Sequence, residues 1–141
     1  MDRRFDALVR RGVIFDSVIG SRAYGTNVDD SDVDIRRVTI IPDPRYYTGV
    51  RNFEQYGVPG DGDEVIYDVR KFAKLALNAN PNILEILWSP IGSARTALGQ
   101  RLFEIRGAFL SKKCHKSYGG YALSPLHKLR GPVEKEGRVR K

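Results

Sequence analysis

The sequence predicts a single domain of the mixed α/β (α+β) class. Short apolar runs typical of strands are interleaved with stretches that carry the i, i+3, i+4 apolar spacing of helices. The chain has 141 residues, of which 41% are hydrophobic, so it is long enough for one core and too short for two. We therefore expect its strands and helices to pack around one core.

The first two predicted elements are a short helix and a strand. An amphipathic stretch predicts a helix over Arg3–Arg11, and the apolar residues of Val13–Ile19 predict a strand. This strand leads directly into Gly20 and Ser21. A glycine at that point lets the backbone approach a ligand, and exposed N–H groups in such a turn bind anionic oxygens. We therefore expect Gly20 and Ser21 to hold a phosphate.

A second strand is predicted over residues 32–41 and ends before Pro42. Side chains alternate between the faces of a strand, so Asp32 and Asp34 are expected on one face, with Cα atoms roughly 6.6 Å apart. Carboxylates at this spacing can converge on one or two cations. Magnesium prefers oxygen ligands and is usually held by one or two carboxylates together with substrate phosphates. The acid pair therefore predicts a magnesium site beside the phosphate turn.

The remaining elements are a loop, a strand and several helices. We expect a loop over residues 56–62, a strand over 64–69, and helices over 71–78, from Asn82 through Trp88, and between 96 and 110. Pro81 separates the first two of these helices, because proline cannot continue a helix from the residue before it. We assign Trp88 and its apolar neighbours mostly to the core, with no cofactor site. For Glu85 we favour the helix surface, with a supporting role at the active site as the alternative.

The stretch GSRAYGTNVDDSDVDIRRV, residues 20–38, resembles the signature of the nucleotidyltransferase superfamily typified by DNA polymerase beta. In that superfamily a GS turn is followed by an acid-x-acid strand. More narrowly, GSRAYG, SDVDIR, RKFAKLALNANPNILEILW and YGGYALSPLHKL resemble predicted nucleotidyltransferases of bacteria and their phages, over about residues 18–130. The resemblance implies a polymerase-beta-like core of a small mixed sheet flanked by helices. We place this core in residues 1–110, and a basic C-terminal helix with a mobile tail in residues 111–141 of the same domain.

The activity that the resemblance implies is nucleotidyl transfer. Such an enzyme transfers an NMP from an NTP, for example ATP, to a hydroxyl-bearing acceptor and releases pyrophosphate. Two Mg²⁺ ions are expected, with Mn²⁺ as a substitute: one activates the hydroxyl, and the other binds the triphosphate. The acceptor is left open among a small molecule, a protein and a nucleic-acid end. The alternative is a catalytically weak nucleotide-binding or nucleic-acid-binding module that acts with a partner.

Members of this superfamily also use a third metal-binding acid from another strand. Asp68 is our first choice, because it lies between apolar residues in the strand predicted over 64–69. Glu64, on the same face, and Asp63 are the alternatives. The predicted catalytic and metal-binding set is therefore Asp32, Asp34 and Asp68.

Several residues around these acids are predicted to contact the nucleotide. Guanidinium and ammonium groups suit phosphate oxygens, which favours Arg22, Arg36 and Lys71. The full predicted set is Gly20, Ser21, Arg22, Tyr24, Gly25, Ser31, Arg36 and Lys71. The chain departs from the resembled pattern at Arg37, where a small residue is expected. That departure concerns the fit of the substrate near the end of the strand.

The basic charge of the chain is concentrated at its C-terminus. Residues 112–141 hold nine Lys or Arg and two Glu, which equals the +7 net charge of the whole chain. With Tyr118 and Tyr121, these cations predict contacts to a nucleic acid through counterion release and base stacking. For residues 131–141 we favour a solubilising end over such contacts. We expect residues 112–130 to form a helix beside the active site.

Composition excludes several other classes of protein. The single cysteine, Cys114, cannot form an internal disulfide, and no C-x-x-C zinc motif is present. The apolar runs are shorter than a membrane span, and no signal-like apolar block follows the N-terminus. We therefore expect a cytoplasmic protein without a membrane partner. Self-association or a partner subunit is left open.

Overall fold

The computed structural model describes residues 3–28, 32–60, 62–120 and 123. These residues form a five-stranded mixed sheet and five helices, which confirms the predicted fold class. The strands are β1 (Val13–Ile19), β2 (Asp34–Thr39), β3 (Gln55–Val58), β4 (Asp63–Asp68) and β5 (Gly92–Ala94). The helices are α1 (Arg3–Arg11), α2 (Val69–Leu77), α3 (Pro81–Trp88), α4 (Ala97–Glu104) and α5 (residues 113–120).

The strands lie in the order β3-β4-β2-β1-β5. Strands β2 and β4 are parallel, and the other three neighbouring pairs are antiparallel. In the parallel pair, Asp34 lies opposite Asp63 and Thr39 lies opposite Asp68. The two ends of this ladder therefore carry different acids, and the register decides which of them is next to Asp34.

Helices cover both faces of the sheet. On one face, a core that includes Phe15, Phe72 and Leu84 packs the sheet against α2, α3 and α4. On the other face, α1 inserts Val9 into a second cluster, around Ile66 and neighbouring aromatic side chains. Because residues alternate along a strand, Asp34 and Asp63 belong to the face of the larger core, and Glu64 belongs to the face of α1.

Most element boundaries agree with the sequence to within two residues, and the differences in kind are the edge strands β3 and β5, which the sequence did not predict, and the length of α4. The loop predicted over residues 56–62 instead begins with the edge strand β3, which pairs with β4. Its Gly57 and the following Pro59 disfavour a strand locally, and the pairing overrides that preference. The helix predicted between residues 96 and 110 ends at Glu104 and is followed by a separate 3₁₀ turn, Arg106–Phe109.

Parts of the predicted C-terminal segment are present in the structure. Residues 113–120 are helical, as predicted for the stretch over residues 112–130. The predicted mobile tail, Tyr121 and Ser31 lie outside the described residues. Every helix in the described part of the chain is too short or too polar to span a bilayer.

Candidate active site

The Gly20-Ser21 turn follows β1 without a break. Gly20–Arg22 forms a single 3₁₀ turn, closed by a hydrogen bond of 3.0 Å from the N–H of Ala23 to the carbonyl of Gly20. The N–H of Thr26 donates to the carbonyl of Ser21 at 3.0 Å. Gly20 has φ +75°, in the left-handed region that glycine adopts without steric penalty. The predicted phosphate turn is thus a defined loop at the end of a buried strand.

Asp34 lies against this turn. It is the first residue of β2 and pairs with Ile19, the last residue of β1. A Cβ atom placed on Gly20 would lie 2.8 Å from Oδ2 of Asp34. Only glycine therefore allows the turn and the carboxylate to approach this closely. The structure brings together the two halves of the motif that the sequence predicted to act together.

Asp63 is the acid opposite Asp34 on the neighbouring strand. Paired strands lie roughly 4.8 Å apart, so the two carboxylates are close neighbours. Burial raises the pKa of the Asp34 carboxyl from its ordinary value of 3.8; the carboxylates of Asp63 and Asp32 raise it further, and the Arg36 guanidinium opposes them. Burial and the neighbouring acids therefore disfavour the ionised form of Asp34 more than Arg36 favours it.

Arg36 is the cation beside these acids. Its Nη2 donates to Oδ2 of Asp63 at 2.6 Å, and its Nη1 donates to the Asp63 carbonyl at 2.6 Å. The Arg36 side chain is 14% exposed, whereas that of Asp63 is 56% exposed. The predicted phosphate contact at Arg36 is therefore near the acids, although its guanidinium is held by Asp63.

The two acids that the sequence favoured as third ligand lie elsewhere. Asp68 is five residues along β4 from Asp63, roughly 16 Å at the rise of a parallel strand. It is 1% exposed, accepts a hydrogen bond of 2.9 Å from the N–H of Arg70 and pairs with the Arg70 guanidinium at 2.8 Å. Asp68 therefore caps the N-terminus of α2 and cannot share a cation with Asp34 in this structure.

Glu64 lies on the opposite face of the sheet from Asp34. Its carboxylate forms an ion pair with Arg10 of α1 at 3.0 Å and another with Arg37. Arg37, at which the chain departs from the resembled pattern, therefore lies on the face of the sheet that α1 covers. Its side chain does not alter the surface around Asp34. Of the three acids weighed from the sequence, only Asp63 lies beside Asp34.

Of the remaining predicted residues that the structure describes, Lys71 lies away from the Gly20-Ser21 turn, and the others lie near Asp34 or near the turn. Asp32 is exposed and precedes β2, so the alternation of side chains along a strand does not place it on the same face as Asp34. Its carboxylate nevertheless raises the pKa of Asp34. Lys71 lies in the first turn of α2, near Asp68, and pairs with Glu54 at 2.8 Å. It is thus at the other end of the ladder from the phosphate turn. Arg22, Tyr24 and Gly25 are in or directly after the turn.

A cleft of about 450 Å³ opens beside the phosphate turn. Its lining includes Gly20 and Ser21 together with the aromatic residues Tyr24, Trp88 and Tyr118. Trp88 is 40% exposed, so its assignment to the core alone was wrong. The sequence contained a weak signal that Trp88 lines a surface cleft, because Trp88 is the last residue of α3, where the apolar face of the helix meets solvent.

Glu85 connects this cleft to the turn. Its Oε1 accepts a hydrogen bond of 2.9 Å from the N–H of Gly20, and the residue is half-buried at the cleft. The sequence favoured the helix surface for Glu85 over a supporting role at the active site, and the structure places it at the turn. The signal for its role at the turn was that it is the single acid within the apolar run of α3. Its partner, Gly20, is 65 residues away along the chain, so the sequence pattern did not reveal the contact.

The donor set at Asp34 and Asp63 has the chemistry that magnesium requires. In the described residues, no group of three or more His, Cys, Asp or Glu side chains is arranged to hold a metal ion. Magnesium is, however, usually held by one or two carboxylates completed by water and substrate phosphates. Asp34 and Asp63 beside a phosphate turn match that pattern, so these residues fit the ion when a nucleotide supplies further ligands.

Comparison with known proteins adds one match. The family model described as "RlaP: RNA repair pathway DNA polymerase beta family" matches residues 2–140. No curated protein and no solved structure matches the chain. The family match covers the turn, both strands of the parallel pair and the cleft.

Proposed function

The chain belongs to the RNA repair pathway DNA polymerase beta family, and on that premise we propose that it is a magnesium-dependent nucleotidyltransferase. It would transfer an NMP from an NTP to a hydroxyl group and release pyrophosphate. The family assignment supports a nucleotidyltransferase type of function. The metal, the NTP and the acceptor are the parts that we propose.

The observation that carries the proposal is the contact between Asp34 and Gly20. A metal-binding carboxylate and a phosphate-binding turn serve nucleotidyl transfer only when they act on the same triphosphate. Oδ2 of Asp34 lies 2.8 Å from where a Gly20 Cβ would be, and Asp63 lies directly across the strand pair. A triphosphate held by the turn would therefore meet both carboxylates.

The residues of the chain suggest a division of roles. The backbone and hydroxyl of Ser21 would bind the terminal phosphates, and Asp34 and Asp63 would hold magnesium. Bound magnesium supplies a Lewis acid that stabilises charge on the phosphate oxygens and lowers the pKa of the acceptor hydroxyl. The acceptor oxygen bonds to the α-phosphorus while the bond to pyrophosphate breaks, and the hydroxyl proton passes to water. A cation held by Asp63 would compete with Arg36 for its carboxylate, and the Arg36 guanidinium would then be available to the phosphates.

The acceptor that we favour is an RNA end. The family description names RNA repair, and three lysines, Lys112, Lys113 and Lys116, lie in or next to α5. The same helix reaches the cleft beside the turn, so these lysines lie near the proposed active site. Clustered cations suit a nucleic-acid strand because they bind the phosphates of its backbone.

The test is a label-transfer assay. The protein is incubated with each α-³²P-labelled NTP, magnesium and an RNA with a free 3′-hydroxyl, and the label on the RNA is measured. We expect transfer that EDTA abolishes and that Asp34→Asn reduces by at least about 100-fold, since even partners of metal ligands are worth 10- to 100-fold. Asp16→Asn is the matched control, because Asp16 pairs with Arg95 away from this site.

Two outcomes would contradict the proposal. Label transfer that persists in Asp34→Asn would exclude the proposed mechanism. Magnesium-dependent nucleotide binding without transfer to RNA, to a small molecule or to the protein itself would support the alternative of a nucleotide-binding module that acts with a partner.

A further inference from the structure

We infer that the cleft between α3 and α5 is a nucleobase site, in which Trp88 and Tyr118 stack on the base of the bound NTP. This inference rests on the proposed function, because it takes the triphosphate to lie in the Gly20-Ser21 turn. The bases of an NTP and of an RNA end offer the same aromatic surface. We assign the site to the NTP because the cleft is continuous with the turn.

The aromatic side chains have the exposure that a stacking site needs. Trp88 is 40% exposed and Tyr118 is 44% exposed, although both lie in helices that pack against the body of the domain. Base stacking uses the π faces of such rings without selecting a sequence. Two aromatic residues from separate helices therefore present a surface for a flat ring.

Trp88 is held in place by Arg106. The Arg106 guanidinium lies 5.9 Å from the centroid of the Trp88 ring and 3.8 Å from that of Phe103. Nη1 of Arg106 donates to the carbonyl of Phe103 at 2.9 Å, which fixes the guanidinium. An indole positioned in this way loses little conformational freedom when a base stacks on it.

Glu85 gives the cleft a polar group. One carboxylate oxygen is used by the N–H of Gly20, and a carboxylate has further lone pairs that accept hydrogen bonds. Burial raises the pKa of the Tyr118 phenol, and Cys114 and the nearby Glu85 carboxylate raise it further. A base in this cleft would thus meet an acceptor on its edge and aromatic rings on its faces.

The sole tryptophan of the chain provides a direct readout. Trp88 emission, excited at 295 nm, is titrated with α,β-methylene ATP, which binds but cannot transfer AMP, and with tripolyphosphate, which has no base. We expect a saturable change in emission with the analogue and a clearly smaller change with tripolyphosphate. Tyr118→Ala should weaken binding of the analogue about tenfold, whereas Tyr118→Phe, which keeps the ring, should bind as the wild type does.

Three outcomes distinguish this inference from the proposed function. Equal emission changes with the two ligands, together with unchanged affinity in Tyr118→Ala, would overturn the base site. A raised KM for RNA with unchanged affinity for the analogue in Tyr118→Ala would overturn the assignment to the NTP and place the RNA end there. Ring-dependent binding of the analogue in a protein that transfers no label would uphold the base site and reject the transfer activity. Circular dichroism of both variants confirms that they fold.

Discussion

Asp34 and Asp63 lie directly opposite each other on the parallel strands β2 and β4, next to the turn at Gly20. Two ionised carboxylates in this position repel each other unless a cation neutralises them. Arg36 partly fulfils that role through its ion pair with Asp63. The pair is therefore the point at which the proposed cation site and the proposed phosphate site meet.

We predict that Asp63, rather than Asp68, is needed for catalysis. Asp63→Asn should reduce kcat for nucleotidyl transfer by about 100-fold or more, because it removes a proposed metal ligand. Asp68→Asn, at the far end of the ladder, should leave kcat within about threefold of wild type, since it contacts no reacting group. Steady-state kinetics on the folded fraction of each variant provide the measurement. A larger loss of kcat in Asp68→Asn than in Asp63→Asn would show that the register of β4 in this structure is not that of the active enzyme.

A second prediction concerns stability at Asp68. Asp68→Ala should lower the free energy of unfolding by about 2–3 kcal/mol, because it removes a helix cap and leaves a buried hydrogen-bond network incomplete. Asp68 is 1% exposed and contacts the Arg70 side chain and the hydroxyl of Tyr47. Urea unfolding followed by circular dichroism measures the change. A loss below about 0.5 kcal/mol would argue against this structural role.

The third prediction concerns pH and metal at Asp34. Its pKa is raised above the ordinary 3.8, mainly by burial, so the folded state binds its proton more tightly than the unfolded state does. The contribution of this group to stability is therefore lost as the pH rises through the raised pKa. Without divalent cations at pH 7, Asp34→Asn should melt at a higher temperature than wild type, and the difference should shrink towards pH 4.

Magnesium supplies the control for this prediction. Adding millimolar magnesium with an unreactive NTP analogue should raise the melting temperature of wild type more than that of Asp34→Asn, because ligands that bind only the folded state stabilise it. Other carboxyls also make stability depend on pH, for example Asp43 and Glu54, whose pKa values are lowered by hydrogen bonds to cationic partners. They are the same in wild type and in Asp34→Asn, so the comparison of the two proteins cancels their contribution. Equal shifts in both proteins would exclude Asp34 as a metal ligand.

The fourth prediction compares two glycines of the turn region. Gly20 and Gly25 both have positive φ, +75° and +67°, so alanine at either position should destabilise the fold by about 1 kcal/mol. A new Cβ at Gly20 would press on Asp34, whereas none of the described residues lies within 4 Å of a Cβ at Gly25. We expect Gly20→Ala to abolish transfer and Gly25→Ala to retain it. Comparable activity in the two variants would mean that Asp34 tolerates displacement.

The fifth prediction tests how Glu85 positions the turn. Glu85→Gln keeps a carbonyl oxygen for the N–H of Gly20, whereas Glu85→Ala removes the acceptor. We expect Glu85→Ala to raise KM for the NTP about tenfold with a smaller change in kcat, and Glu85→Gln to restore most of the affinity. If Glu85→Gln behaves like Glu85→Ala, the charge of Glu85 matters rather than its hydrogen bond.

Local patterns predicted the elements that carry the motif. The strand Val13–Ile19 and the helix Arg3–Arg11 match the structure to the residue, because hydrophobic periodicity is strong there. The edge strands β3 and β5 were missed. Both are short, and β5 has the sequence Gly-Ser-Ala, so only pairing with a neighbouring strand makes either of them a strand.

The sequence by itself determined the Gly20-Ser21 turn, the acid of β2 and the superfamily, since each depends on residues within one short stretch. Only the tertiary structure decided that Asp63 stands beside Asp34 while Asp68 caps α2, and that Glu85, Trp88 and Tyr118 meet the turn. The physical reason is that strand register and helix docking depend on contacts between residues far apart in the chain. A shift of five residues along one parallel ladder separates a proposed metal ligand from a helix cap.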